Sequence, residues 1–213
     1  MTSITLAVEP EDMLRGQAPV RPVVARESIR LPGGSHVSVR PVRPEDIELI
    51  QSYVRGLSPA SRYFRFLGAI SELSATELQR AINPGAASGS LVLESHYGGT
   101  RTMIGEARWH IAASGQTCEL AASITDGWQR QGFGAWLINH IAARVKSLGA
   151  RYLLAEILHA NKPAQRLVRK LGFHALPSNF DPKLMCFVKE LEPRSRSVMG
   201  ERRSLDTYAS PNS

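Results

Sequence analysis

Two spacings of apolar residues alternate along the middle of the chain. From His36 the order His-Val-Ser-Val-Arg-Pro-Val sets Val37 and Val39 on one face at period two, the pattern of a strand. After Arg43-Pro44-Glu45-Asp46 the period lengthens. Ile47, Leu49, Ile50 and Val54 form a helical stripe, with a proline in the first turn and acids complementing the helix dipole. Ser58-Pro59 opens a second helix reaching Leu67, and Ser74-Ala75-Thr76-Glu77 reads as a capping box for a third. Period two returns in Ser90–Tyr97 and Met103–Ala112, separated by the hairpin signal Gly98-Gly99-Thr100. It returns again in Thr117–Ile124 after Ser114-Gly115-Gln116.

Phe133–Ser147 carries Trp136, Leu137, Ile141 and Val145 at helical spacing and stops at Leu148-Gly149. Tyr152–Leu158 is apolar enough to predict a strand buried on both faces. Asn161 then caps a helix with Pro163 in its first turn, Leu167, Val168 and Leu171 inward and Gly172 as its stop; Phe173–Leu176 and Leu184–Val188 close the set. Residues 1–35 mix proline, glycine and charge without a period, and the stretch from 192 to 213 is rich in serine and arginine. The expected organisation is a flexible extension over 1–35, one domain over 36–191 and a disordered tail over 192–213. The order is β-α-α-α-β-β-β-α-β-α-β-β, with four antiparallel strands before the fourth helix, and the class is α/β (α+β).

With 213 residues and 43% of them hydrophobic, the chain can fill one core; no apolar run suits a membrane span or signal peptide, so a soluble cytoplasmic protein is expected. Cys118 and Cys186 are too few for a disulfide framework or zinc site, and the six histidines show no metal spacing. The net charge of +7 raises nucleic acid as a partner, but its distribution argues otherwise. Gly127–His174 holds eight bases against one acid, Glu156, and so carries +7 by itself. Charge gathered at one place fits a small polyanion better than a duplex.

That segment begins with Asp126-Gly127-Trp128-Gln129-Arg130-Gln131-Gly132-Phe133-Gly134-Ala135-Trp136, where a strand gives way to a helix. Glycines let a ligand approach the backbone, the helix start leaves N–H groups unpaired, and Arg130 adds charge, so the turn suits a pyrophosphate. A dinucleotide fingerprint is excluded, because Leu137 stands where its third glycine belongs. A P-loop is excluded because the Lys-Ser/Thr pair is missing.

Gln129-x-x-Gly132-x-Gly134 resembles the coenzyme A loop of the GNAT acetyltransferase superfamily. Asn161-x-x-Ala164 with Lys170-Leu171-Gly172-Phe173 resembles its second cofactor segment. The resemblance implies a GNAT fold, with a mixed, mostly antiparallel central sheet flanked by helices, and acetyl-CoA as co-substrate without a metal. It assigns cofactor binding to Gln129, Arg130, Gln131, Gly132, Phe133, Gly134, Ala135 and Asn161, and to backbone N–H groups at Ala122, Ser123 and Ile124 along the pantetheine.

Acetyl transfer to an amine needs a base for the ammonium proton. Alternation places Glu119, Ala121 and Ser123 on one face of their strand, upstream of the turn. Glu119 is the expected general base, a position where many protein acetyltransferases of this superfamily carry glutamate; Glu106 is the fallback. Many members also place a tyrosine seven residues after the capping asparagine, as acid for the leaving thiolate. Here Val168 stands there.

A closer resemblance spans residues 36–190. Val39-Arg40-Pro41-Val42-Arg43-Pro44-Glu45-Asp46, followed by Leu57-Ser58-Pro59-x-Ser61-Arg62-Tyr63-x-Arg65-Phe66-x-Gly68, is similar to the acetyltransferase domain of bacterial Pat-type protein lysine acetyltransferases. These act on acyl-CoA synthetases, which makes such a synthetase the implied partner, with no membrane or nucleic-acid role. Arg62, Tyr63, Arg65 and Phe66 are expected along the flap that the three short helices form at the acceptor entrance, with core packing the stronger reading for Tyr63 and Phe66, aromatics at helical spacing. Acetylation of a small amine, or a coenzyme A-sensing module without turnover, are the alternative readings.

Overall fold

The computed structural model describes residues 3–4, 27–176 and 181–191. The tail over 192–213 and most of the N-terminal extension lie outside them. Capping chemistry sets the helix starts as the sequence implies. Ser58 accepts the backbone N–H of Ser61 at the head of α2 (Pro59–Phe66), Ser74 and Glu77 form the reciprocal box at α3 (Ala75–Ile82), and α1 covers Ile47–Gly56.

The strands are β1 (Ser3–Ile4), β2 (Glu27–Arg30), β3 (His36–Pro41), β4 (Ser88–Tyr97), β5 (Thr100–Ile111), β6 (Thr117–Ile124), β7 (Tyr152–Leu158), β8 (His174–Leu176) and β9 (Leu184–Glu190). They form one mixed sheet in the order β2-β3-β4-β5-β6-β7-β9-β8, with β1 set against β6. All pairings are antiparallel except β6 with β7. A parallel pair needs a crossover, and α4 (Phe133–Ser147) supplies it. This parallel pair is short. It runs through Thr117, Cys118 and Glu119 against Tyr152, Leu153 and Leu154, and then the strands part.

Each face of the sheet has its own core. Val37, Leu91, Leu93, Leu120, Ile124, Leu153 and Phe187 pack under α4 and α5 (Lys162–Lys170). Val92 and Met103 pack under α1 and α3 with Ile50, Tyr53, Val54 and Leu78. Among the described residues no helix is long and apolar enough to cross a membrane.

Two expectations are corrected. The extension over 1–35 contributes two strands; β2 is exposed along its whole length, so it pairs with β3 without the alternation that would reveal a strand in the sequence. And β7 is buried on one face only. Leu153, Ala155 and Ile157 are covered, whereas Tyr152, Leu154 and Glu156 are half-buried, leaving one side of this strand partly open.

Arg40 ties β3 to β4 and to the start of α1. Its guanidinium donates to both carboxylate oxygens of Asp46 (2.7 and 2.8 Å) and both of Glu94 (2.6 and 3.0 Å), all three side chains being buried. Much of the Arg-Pro-x-Arg-Pro-Glu-Asp motif is therefore a structural staple.

Candidate active site

The backbone of the turn before α4 is held in an uncommon shape. Arg130 has φ +60° and Gly132 φ +91°, so a side-chain-bearing residue takes the left-handed region beside a glycine that takes it freely. The two glutamines brace the shape. Gln129 Nε2 donates to the carbonyl of Ile124 at 2.9 Å, and Gln131 Nε2 to that of Gly127 at 3.1 Å. α4 then begins with no side-chain cap, in contrast to α5, where Asn161 Oδ1 accepts the Ala164 N–H. The uncapped first turn can take an anion.

A cavity of about 260 Å³ opens there. Ile124, Gln129, Arg130, Gly132, Gly134 and Ala135 line it from the turn, and Pro163, Arg166, Leu167 and Lys170 line it from α5. The α5 residues recur at helical spacing, a signal present in the sequence but read there only as charge. Three cations and a helix N-terminus around one cavity fit the phosphates of coenzyme A. Five other expected residues are off the lining: Ala122 and Ser123 lie further up β6, and the other three have structural places. Phe133 is buried against Trp128, Gln131 ties the turn, and Asn161 is fully buried as a helix cap.

The opposite face of β6 looks toward α1–α3, for the Tyr53 hydroxyl hydrogen-bonds Ser123 Oγ at 2.8 Å. Glu119 sits on this face as the last residue of β6 to pair with β7. Burial, and secondarily Glu156, raises its pKa above the ordinary carboxylate range. Glu156 is raised in turn by burial and by Asp181. Glu106 has a different setting. Burial would push its pKa up, but Arg108 at 2.9 Å and Arg65 at 2.7 Å hold it below the usual range, so it is a paired structural anion and not a spare base.

The flap divides similarly. Tyr63 is exposed, but Arg65 is buried against Glu106, Phe66 packs on the α1–α3 core, and Arg62 donates to the carbonyls of Arg55 and Leu57 at the end of α1. A tie that the sequence did not suggest joins α2 to the turn: Asp126 accepts from the Ser58 and Ser61 hydroxyls, both at 2.9 Å. Val168 is fully buried and offers no acid for a thiolate. Burial pushes the Cys118 thiol up to about 12, and both cysteines are free. Among the described residues no group of three or more His, Cys, Asp or Glu could hold a metal.

The model of the acetyltransferase (GNAT) domain matches residues 36–174. The chain belongs to the GNAT family. This GNAT enzyme is an acetyl-CoA-dependent N-acetyltransferase. It is 33% identical over 144 residues to an acetyltransferase of Pseudomonas aeruginosa, covering 67% of this chain and 77% of that one. Its fold matches the GNAT domain of PAT from S. lividans with a TM-score of 0.69 at 26% identity, over 78% of this chain and 97% of that domain. Spermidine N-acetyltransferase from Vibrio cholerae, solved with CoA and spermine, shares the fold at a TM-score of 0.59 and 17% identity, over 73% and 95% of the two chains. Of these GNAT members, the PAT domain agrees with the Pat-type resemblance of residues 36–190.

Proposed function

We propose that this GNAT enzyme transfers the acetyl group of acetyl-CoA to a protein lysine ε-amino group, by direct attack in a ternary complex with Glu119 as general base. The position of Glu119 carries the reading: a half-buried carboxylate with a raised pKa, where β6 and β7 part. Coenzyme A phosphates would rest at the N-terminus of α4 beside Arg130, Arg166 and Lys170. The pantetheine would run toward Glu119 along the edge of β6, pairing with backbone groups of Ala122, Ser123 and Ile124. Their N–H groups would polarise the carbonyl.

A lysine ammonium arriving on the face of α1–α3 gives its proton to Glu119, and the freed amine attacks the thioester carbonyl. A carboxylate with a raised pKa is the better acceptor for that proton at neutral pH. The thiolate leaves toward solvent, without help from position 168. The sequence likeness to Pat-type enzymes supports a protein lysine, with an acyl-CoA synthetase as the favoured partner. Thiol release from acetyl-CoA, measured with lysine peptides, candidate synthetases and small amines, tests the assignment. Turnover confined to small amines overturns the lysine reading.

A further inference from the structure

We propose that Glu156 is a second acceptor carboxylate, which holds the incoming ammonium beside Glu119 and so selects cationic amines over neutral ones. The inference rests on the reading of Glu119 as the base.

Register puts the two acids together. Glu119 pairs with Leu154 in the last rung between β6 and β7, and paired residues point to the same side of a sheet. Glu156 lies two residues beyond Leu154, hence on that same side, about 7 Å further along. There β7 no longer has β6 beside it. The alternation of burial agrees, with Leu154 and Glu156 half-buried between covered neighbours.

The charge balance of the molecule sets this pair apart. Other buried carboxylates have guanidinium partners: Asp46 and Glu94 take Arg40, and Glu106 takes Arg65 and Arg108. Among the described residues neither Glu119 nor Glu156 is in an ion pair, although the chain has 26 basic residues. Glu156 Oε2 is moreover shut off from solvent and has no hydrogen-bond partner. An oxygen in that state loses its hydration without compensation, while the carboxylate as a whole is half-buried, so an ammonium donor would meet Glu156 from the side that stays open.

Among the described residues the arginine nearest the pair, Arg108 opposite Ala121 on β5, is engaged by Glu106 at 2.9 Å. Asp181 raises Glu156, and Cys186 stands opposite it on β9. His110 stands opposite Glu119 on β5, where its Nδ1 shares a hydrogen bond of 2.8 Å with Ser88. A lysine ammonium entering here meets two acids. It can remain bound to Glu156 while Glu119 takes its proton, so binding and deprotonation are divided between two groups.

The test compares the wild type with E156Q, E156D and E119Q, using a lysine peptide and a neutral aromatic amine as acceptors. For E156Q the KM of the lysine peptide rises about tenfold or more, with a smaller change in kcat. The KM of the neutral amine does not move, and an unchanged KM for acetyl-CoA verifies the fold. The acid limb of kcat/KM shifts to lower pH, because removal of the neighbouring negative charge lowers the pKa of Glu119. E156D recovers part of the peptide affinity. An E156Q enzyme whose peptide KM and acid limb both stay in place overturns the inference while E119Q remains inactive. An active E119Q removes the base, and this inference with it.

Discussion

Glu119 stands opposite Leu154 in the final rung shared by β6 and β7. Two residues later the parallel strands have separated, so the carboxylate sits at the apex of a wedge whose sides are two strand edges. β1 pairs with the β6 side of this wedge at Ala122 and Ser123, and the proposed donor and acceptor would meet beside Glu119. Replacement by glutamine keeps the size and removes the proton acceptor. E119Q is expected to lose about 10²- to 10⁴-fold in kcat/KM. The wild type protonates this group at a higher pH than an ordinary glutamate, whose pKa is about 4.3. Its kcat/KM therefore falls as pH drops through that raised value, and the residual activity of E119Q lacks this limb. A pH profile of both enzymes checks the expectation.

Glu106 and Arg65 predict a stability effect instead. The pair is buried at 2.7 Å, and Glu106 also accepts from Arg108 at 2.9 Å, so E106Q takes the shared carboxylate from two guanidinium groups at a cost of about 3–5 kcal/mol, whereas R65M leaves Glu106 held by Arg108 and costs less. E106Q should lower the urea midpoint strongly and R65M less, and the double variant should cost less than the two single losses added together. The pH dependence has a definite sign. The folded pKa of Glu106 lies below its ordinary value, so its contribution is present above that value and is lost as pH falls toward the depressed one. Acid unfolding of E106Q should lack this component.

Gly132 at φ +91° sets a third expectation. A Cβ there would meet nothing within 4 Å, so the penalty of G132A is one of backbone conformation alone, about 1–2 kcal/mol. Because the same residue opens α4, the strain would reach the turn proposed to hold the coenzyme A phosphates. G132A should melt earlier and bind acetyl-CoA more weakly by calorimetry. G127A, with equally open space and no positive φ, should change stability by less than about 0.5 kcal/mol.

The core domain was legible because its signals are local. Ser58, Ser74 and Asn161 cap the helices their spacing implies, and Gly98-Gly99 turns the hairpin. The strand-to-helix turn before α4 was legible for the same reason. What escaped depends on residues distant in the chain. Nothing near Glu156 announces that Glu119 lies across the sheet, and Asp126 meets Ser58 and Ser61 only after 65 or more residues of chain have folded back. The motif Arg62-Tyr63-x-Arg65 misled in the other direction. Its arginines suggested an entrance, yet Arg65 is directed inward because a glutamate on β5 awaits it.

β1 has a consequence for the donor substrate. Ser3 and Ile4 pair with Ser123 and Ala122, along the edge of β6 left bare by the departure of β7. A strand edge offers each of its amides once, so backbone engaged by β1 is closed to pantetheine. On the proposed course of pantetheine along β6, β1 is a rival for the donor substrate, and part of the affinity for acetyl-CoA would be spent on displacing it. A protein beginning at residue 27 keeps β2 and lacks the rival. Its dissociation constant for acetyl-CoA should fall, by a factor of about 2 to 10 if β1 is seated half to nine-tenths of the time. Equal affinity of the two forms in calorimetry would mean that the N-terminal residues yield the edge at no cost.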